Sequence, residues 1–97
     1  MTKVKVTEQV ESFVKALAPQ PRRALRQGIK RLAQDEGDVK RLEGKLSGYH
    51  RLRVGGFRVI YTERFGGGDR LVECVFCEER AVVYDLFLQL QVERLGL

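Results

Sequence analysis

The stretch Gly48–Tyr61, GYHRLRVGGFRVIY, reads as two short strands joined at Gly55-Gly56. A two-residue Gly-Gly loop is a strong hairpin signal, because the tight turns that match strand twist require positive φ. The loop also sets the register: Val54 falls opposite Phe57, Arg53 opposite Arg58, Leu52 opposite Val59 and Arg51 opposite Ile60. Leu52, Val54, Phe57 and Val59 then share a core face, while Arg51, Arg53 and Arg58 share the other. Directly opposed like charges destabilise a strand pair by a few tenths to about 1 kcal/mol. Such a conflict inside a well-patterned hairpin is expected where an anionic ligand relieves it, and guanidinium groups on a rigid sheet suit a phosphodiester. The competing reading is surface neutralisation by Glu73, Glu78 or Glu79 from the next strand.

Outward from the hairpin, Lys3 to Val6 alternates and suits a first strand. Thr7 is an N-cap candidate, and Val10, Phe13, Val14 and Leu17 recur at helical spacing until Pro19 stops the helix. Pro21 fits the first turn of a second helix that ends near Gly37, with Leu25, Ile29 and Leu32 on one stripe. The two helices, joined by APQP, are expected to form a hairpin. Strands are expected over Tyr49 to Val54, Phe57 to Glu63 and Arg70 to Cys77, with FGGGDR a turn. The tail AVVYDLFLQLQVERLGL becomes helix-like, with Leu88, Val92 and Leu95 on one stripe and Leu86 and Leu90 on another. The fold class is therefore α+β: an N-terminal strand, a helical hairpin on one face of a curved, mainly antiparallel sheet, and a short C-terminal helix. The 97 residues make one domain.

Charge is segregated along this chain, whose net charge is +5. Gln20 to Arg58 carries eleven basic residues against four acids, whereas Val59 to Leu97 carries four against seven. Arginine outnumbers lysine twelve to six, which favours planar contacts to phosphate or carboxylate. Basic Arg22 and Arg23 on the second helix and Lys45 before the hairpin extend the candidate nucleic-acid-binding set, with Arg51. No apolar run approaches the about 20 residues of a membrane span, and MTKVKVTEQV lacks a signal peptide's continuous apolar segment, so the expected address is the cytoplasm.

Cys74 and Cys77 have the C-x-x-C spacing, yet no second ligand pair for zinc and no helix N-terminus accompanies them. Three residues apart in a strand, they are expected to point to opposite faces as structural residues. No metal or other cofactor is expected. His50, the one histidine, shares the parity of Leu52 and Val54 and reads as structural.

LSGYHRLRVGGFRVIYTE, followed about twenty residues later by EERAVVYDLF, resembles the RelE/ParE toxin superfamily, the toxin halves of bacterial toxin–antitoxin pairs. The resemblance covers almost the whole chain in element order. It implies one of two activities: ribosome-dependent cleavage of mRNA, as in RelE-like members, or inhibition of DNA gyrase, as in ParE-like members. For the ribonuclease it implies a metal-independent site of Arg53, Arg58, Arg80 and Tyr84. Tyr84 also reads as an aromatic closing the sheet edge. Glu78 stands where ribonuclease members carry another arginine, a departure that supports a third reading, an inactive relative that only binds antitoxin or nucleic acid. Other members pair a glutamate with a histidine, so Glu78 and Glu79 are acid/base candidates. The resemblance further implies a cognate antitoxin as partner, with ribosome and mRNA as targets. A homodimer through the C-terminal helix is the competing use of its second apolar stripe.

Overall fold

The computed structural model describes residues 1–96. Strand β1 (Thr2–Val6) is followed by helices α1 (Glu8–Lys15) and α2 (Pro19–Arg31), then by strands β2 (Asp38–Arg41), β3 (His50–Val54), β4 (Phe57–Gly66) and β5 (Asp69–Glu79), and finally by helix α3 (Val83–Arg94). The five strands lie in the order β1-β5-β4-β3-β2. All neighbours are antiparallel except β1 and β5, which are parallel. No helix among the described residues is long and apolar enough to cross a membrane.

The hairpin has the register its Gly-Gly loop dictates, with Arg53 opposite Arg58 and Leu52 opposite Val59. Gly55 takes a φ of 57°, the left-handed backbone that glycine accepts without a Cβ penalty. Thr7 caps α1, its Oγ1 accepting from the Val10 N–H, and the same hydroxyl donates to the Val75 carbonyl at 3.1 Å, fixing the helix to β5. Pro19 does more than stop α1: it occupies the first turn of α2, which starts two residues before the expected Pro21.

The helical hairpin packs on one sheet face, where Val10, Val14, Leu25, Leu32, Leu52, Val59 and Val72 form the larger core. A second core, not anticipated in the sequence, occupies the opposite face: α3 lays Val83 and Phe87 over Leu46, Ile60 and Phe76. Of the two expected leucine stripes of the tail, only Leu88 packs against this core. Leu86, Leu90, Val92 and Leu95 are exposed, and Leu88 is only half-buried.

Two further features depart from expectation. β2 adds a fifth strand where a connection was expected; all four of its residues are exposed, so no apolar alternation marks it. Cys74 and Cys77 face the same core instead of opposite faces. The reason is a β-bulge: Val59 pairs with Cys77 and Ile60 with Phe76, but Tyr61 pairs with Cys74, so Val75 is the extra residue and parity resets. Both thiols are free and fully buried, and burial pushes each up to about 12. The structural reading of the pair therefore holds for a different geometric reason.

Candidate nucleic-acid interface

Arg58 and Arg80 meet at the hairpin tip. The Arg80 backbone N–H donates to the Gly56 carbonyl at 2.9 Å, drawing the end of β5 onto the Gly-Gly loop. Arg58 Nη1 donates to the Gly55 and Phe57 carbonyls at 2.9 Å each, which holds the guanidinium at the same tip. Immediately after Arg80 the chain enters α3, and its first turn swings Tyr84 over the sheet. Arg51 on β3 joins from below, with Nη1 held by Asp38 through Oδ1 at 3.1 Å and the backbone carbonyl at 2.9 Å.

These side chains line one open cleft of about 760 Å³. Lys40 and Arg41 from β2 complete its cationic wall, so five basic residues face one lining carboxylate, Glu43. Among the described residues neither Arg58 nor Arg80 has an ion-pair partner. Of the glutamates offered as neutralisers, Glu73 pairs with Arg64 at 3.4 Å, a Glu78 oxygen accepts from the Glu79 N–H at 3.1 Å, and Glu79 lies opposite Phe57, on the face away from Arg58. A cleft with unpaired guanidinium groups and an aromatic wall accepts a polyanion such as a phosphodiester chain.

The structure therefore brings Arg51, Arg58, Arg80 and Tyr84 together and separates the other candidates. Arg53 lines a smaller groove of about 240 Å³ with Gly28, Arg31 and Gly37 and stands outside the cleft. Lys45 is exposed in the 3₁₀ turn Gly44–Leu46 and does not line the cleft. Arg22 and Arg23 sit on α2, across the sheet from it. Strand register divides the two acid/base candidates, because Glu78 lies opposite Arg58 and shares its face whereas Glu79 lies opposite Phe57 and faces α1. His50 stacks on Tyr61 with ring centroids 5.2 Å apart and interplanar angle 19°.

Lys40, Arg41 and Glu43 are the residues that sequence reasoning missed. Their one signal is the basic pair after Val39, and it carries weight only once β2 is known to pair with β3 and set Lys40 beside Arg51. Among the described residues, no group of three or more His, Cys, Asp or Glu side chains is placed to hold a metal ion.

An α+β domain with a helical hairpin on one face of a five-stranded mixed sheet and a terminal helix on the other defines a fold class with solved members. The fold is that of the RelE/ParE toxin superfamily, as the GYHRLRVGGFRVIY hairpin implied. The chain is similar to a chain of the archaeal RelE–RelB complex from Pyrococcus horikoshii OT3, at 25% identity and TM-score 0.63, covering 81% of this chain and 94% of that one. It is also similar to the YoeB/ParE toxin from Agrobacterium tumefaciens, at 18% identity and TM-score 0.63, covering 80% and 98%. The toxin–antitoxin complex RelBE2 from Mycobacterium tuberculosis matches at 18% identity and TM-score 0.63, covering 80% and 96%. No protein-family model and no curated protein matches the sequence.

Proposed function

We propose that this chain is the toxin of a toxin–antitoxin pair and that it cleaves mRNA held in place by the ribosome. The observation that carries the reading is the convergence of Arg51, Arg58, Arg80 and Tyr84, from two strands, a turn and a helix, on one cleft in which Arg58 and Arg80 have no counter-ion among the described residues. Structural similarity to RelE and YoeB/ParE toxins supports the toxin assignment.

The chemistry follows from the side chains. Attack of the ribose 2′-hydroxyl on the adjacent phosphorus forms a 2′,3′-cyclic phosphate and breaks the bond to the 5′-oxygen, which leaves with a proton from water. Charge builds on the phosphoryl oxygens as this happens. Arg58 and Arg80 stabilise that charge, and each such contact is worth about 10²–10³ in rate. Lys40, Arg41 and the Asp38-clamped Arg51 hold the flanking backbone. Tyr84 stacks on a base and keeps the 2′-hydroxyl in line. Arginine stays protonated and is no general base. The 2′-hydroxyl proton goes instead to a carboxylate on this face, Glu43 lining the cleft or Glu78 beside Arg58.

The antitoxin would cover what α3 leaves open. Leu86 and Leu90, one turn apart on α3, are 40% and 36% exposed, a short apolar strip that suits an amphipathic segment whose acidic end meets the basic cleft.

Primer extension on a defined mRNA in a purified translation system tests the activity. Ribosome-dependent cuts that fall at least about 100-fold with Arg58→Ala are expected. Absence of cuts by folded protein, together with inhibition of gyrase supercoiling, would replace this reading by the gyrase one. Absence of both effects would leave an antitoxin-binding or nucleic-acid-binding relative.

A further inference from the structure

Three depressions on this molecule share walls. The cationic cleft shares Arg41, Leu42 and Glu43 with a neighbouring groove of about 550 Å³ that adds Tyr49 and His50 and ends at Phe65. Phe65 also lines a third groove, of about 400 Å³, at the β1 end of the sheet. Lys3, Lys5, Arg64 and Arg70 supply the cations of that third groove, against one lining carboxylate, Asp69. Register places Lys3 and Arg64 in one row on either side of Leu71, and Lys5 in the row of Glu73. Val4, between the two lysines, packs into the core under the helices, so Lys3 and Lys5 face the α3 side of the sheet, as Arg58 does.

We propose that these depressions form one track for single-stranded RNA, in which the β1 groove is a second binding site for the strand that runs out of the cleft. The inference rests on the RNA reading above. Three features select RNA over an acidic polypeptide. Cations stand at both ends of the track, as a phosphate backbone requires. Phe65 supplies an open ring between them, 74% exposed and with no core role, whereas Tyr49 and His50, which line the same groove, are already packed on Phe87 and Tyr61. The two acids along the middle are Glu43 and Glu63, and Glu63 is already bound to Arg70 at 2.7 Å. Arg64 is paired with Glu73 at 3.4 Å, so among the described residues Lys3 and Lys5 are the groove's side-chain cations without an ion pair, and Phe65, which register sets opposite Arg70 on the helical-hairpin side, lines the groove from the end of the sheet as its stacking platform. From Arg58 to Arg64 along β4 is roughly 20 Å. That span is a few nucleotides of extended strand, at the low end of the about 4–16 nucleotides covered by small single-strand-binding folds.

The test is fluorescence anisotropy with labelled 2′-O-methyl oligouridylates, which resist cleavage, of about 4 and about 12 nucleotides. The longer probe is expected to bind at least about tenfold more tightly, and Phe65→Ala to weaken it by about 5- to 100-fold while leaving the short probe unchanged. Lys3→Glu with Lys5→Glu is expected to reduce the slope of log K against log salt for the long probe by at least about 1.4, two phosphate contacts at 0.7 each. All three side chains lie at the surface, and matching thermal melts check that the variants are folded. Long-probe affinity that ignores these substitutions, or wild-type protein that binds neither probe, overturns the track. A polyglutamate peptide that competes through Lys3 and Lys5 regardless of Phe65 would assign the groove to an acidic polypeptide and equally overturn it. Failure of the cleavage reading is separate, because it appears as absent cuts in the translation assay whatever the oligonucleotides do.

Discussion

Arg58 and Arg70 show how differently two arginines of one sheet are used. Arg58 is half-buried, bonded among the described residues to two neutral carbonyls, and open to the cleft. Arg70 is 13% exposed in its side chain, meets Glu63 at 2.7 Å and Asp35 at 3.0 Å, and donates to the Leu32 carbonyl at 3.2 Å. It ties the end of the helical hairpin to β4 and β5, and its hydrogen bond to Glu63 raises its affinity for the proton. Arg58→Lys keeps the charge but not the fork, so it is expected to restore only part of the cleavage lost in Arg58→Ala, with little change in melting temperature. Arg70→Met should do the reverse, costing about 2–3 kcal/mol in urea unfolding because Glu63 is left half-buried and unpaired while the cleft is untouched. The opposition of Arg53 and Arg58 was legible because a two-residue loop sets it locally. Which glutamates answer which arginines was not, because those choices depend on β5 packing and on the bulge at Val75.

Elements were legible where pattern and punctuation agree and hidden where neither exists. The hairpin, the cap at Thr7 and the stripe of α2 rest on local chemistry. β2 is a polar edge strand, Asp38–Arg41, made by pairing with β3 and not by its own pattern, and with it went the sight of Lys40 and Arg41. The parity of Cys74 and Cys77 failed for a related reason, since one bulged residue inverts every side chain beyond it. Gly28 belongs to the same class of hidden constraint. It lies in the middle of α2, where glycine is a poor helix former, and a Cβ there would come 2.9 Å from Val54 Cγ2. The close approach of α2 to β3 is the reason for a small residue at this position. Gly28→Leu is expected to lose about 1–3 kcal/mol despite better helix propensity, read as a lower urea midpoint at unchanged slope. A midpoint equal to or above wild type would mean that α2 moves off the sheet without penalty.

At the scale of the whole molecule, one sheet carries a core on each face, and the larger core holds its ionisable groups in neutral form. Burial pushes Cys74 and Cys77 from 9.0 to about 12, and it pushes Tyr61 from 10.0 to about 12 with help from Glu63. The folded chain therefore keeps protons that the unfolded chain releases above about pH 9. Stability is fully present below that pH and declines as pH rises toward 12, because the unfolded state binds fewer protons. Each thiol contributes at most about 1.4 kcal/mol per pH unit in this window, with Tyr61 joining above pH 10. Urea unfolding at about pH 8 and about pH 10.5 should show a marked loss of free energy, and thiol reagents should react only as the protein unfolds. Cys74→Ala with Cys77→Ala lowers stability at every pH through lost packing, but its decline between the two pH values should be shallower than that of the wild type. Equal slopes would place the alkaline sensitivity outside the thiols, and rapid labelling of native protein would show that the bulged strand opens without global unfolding.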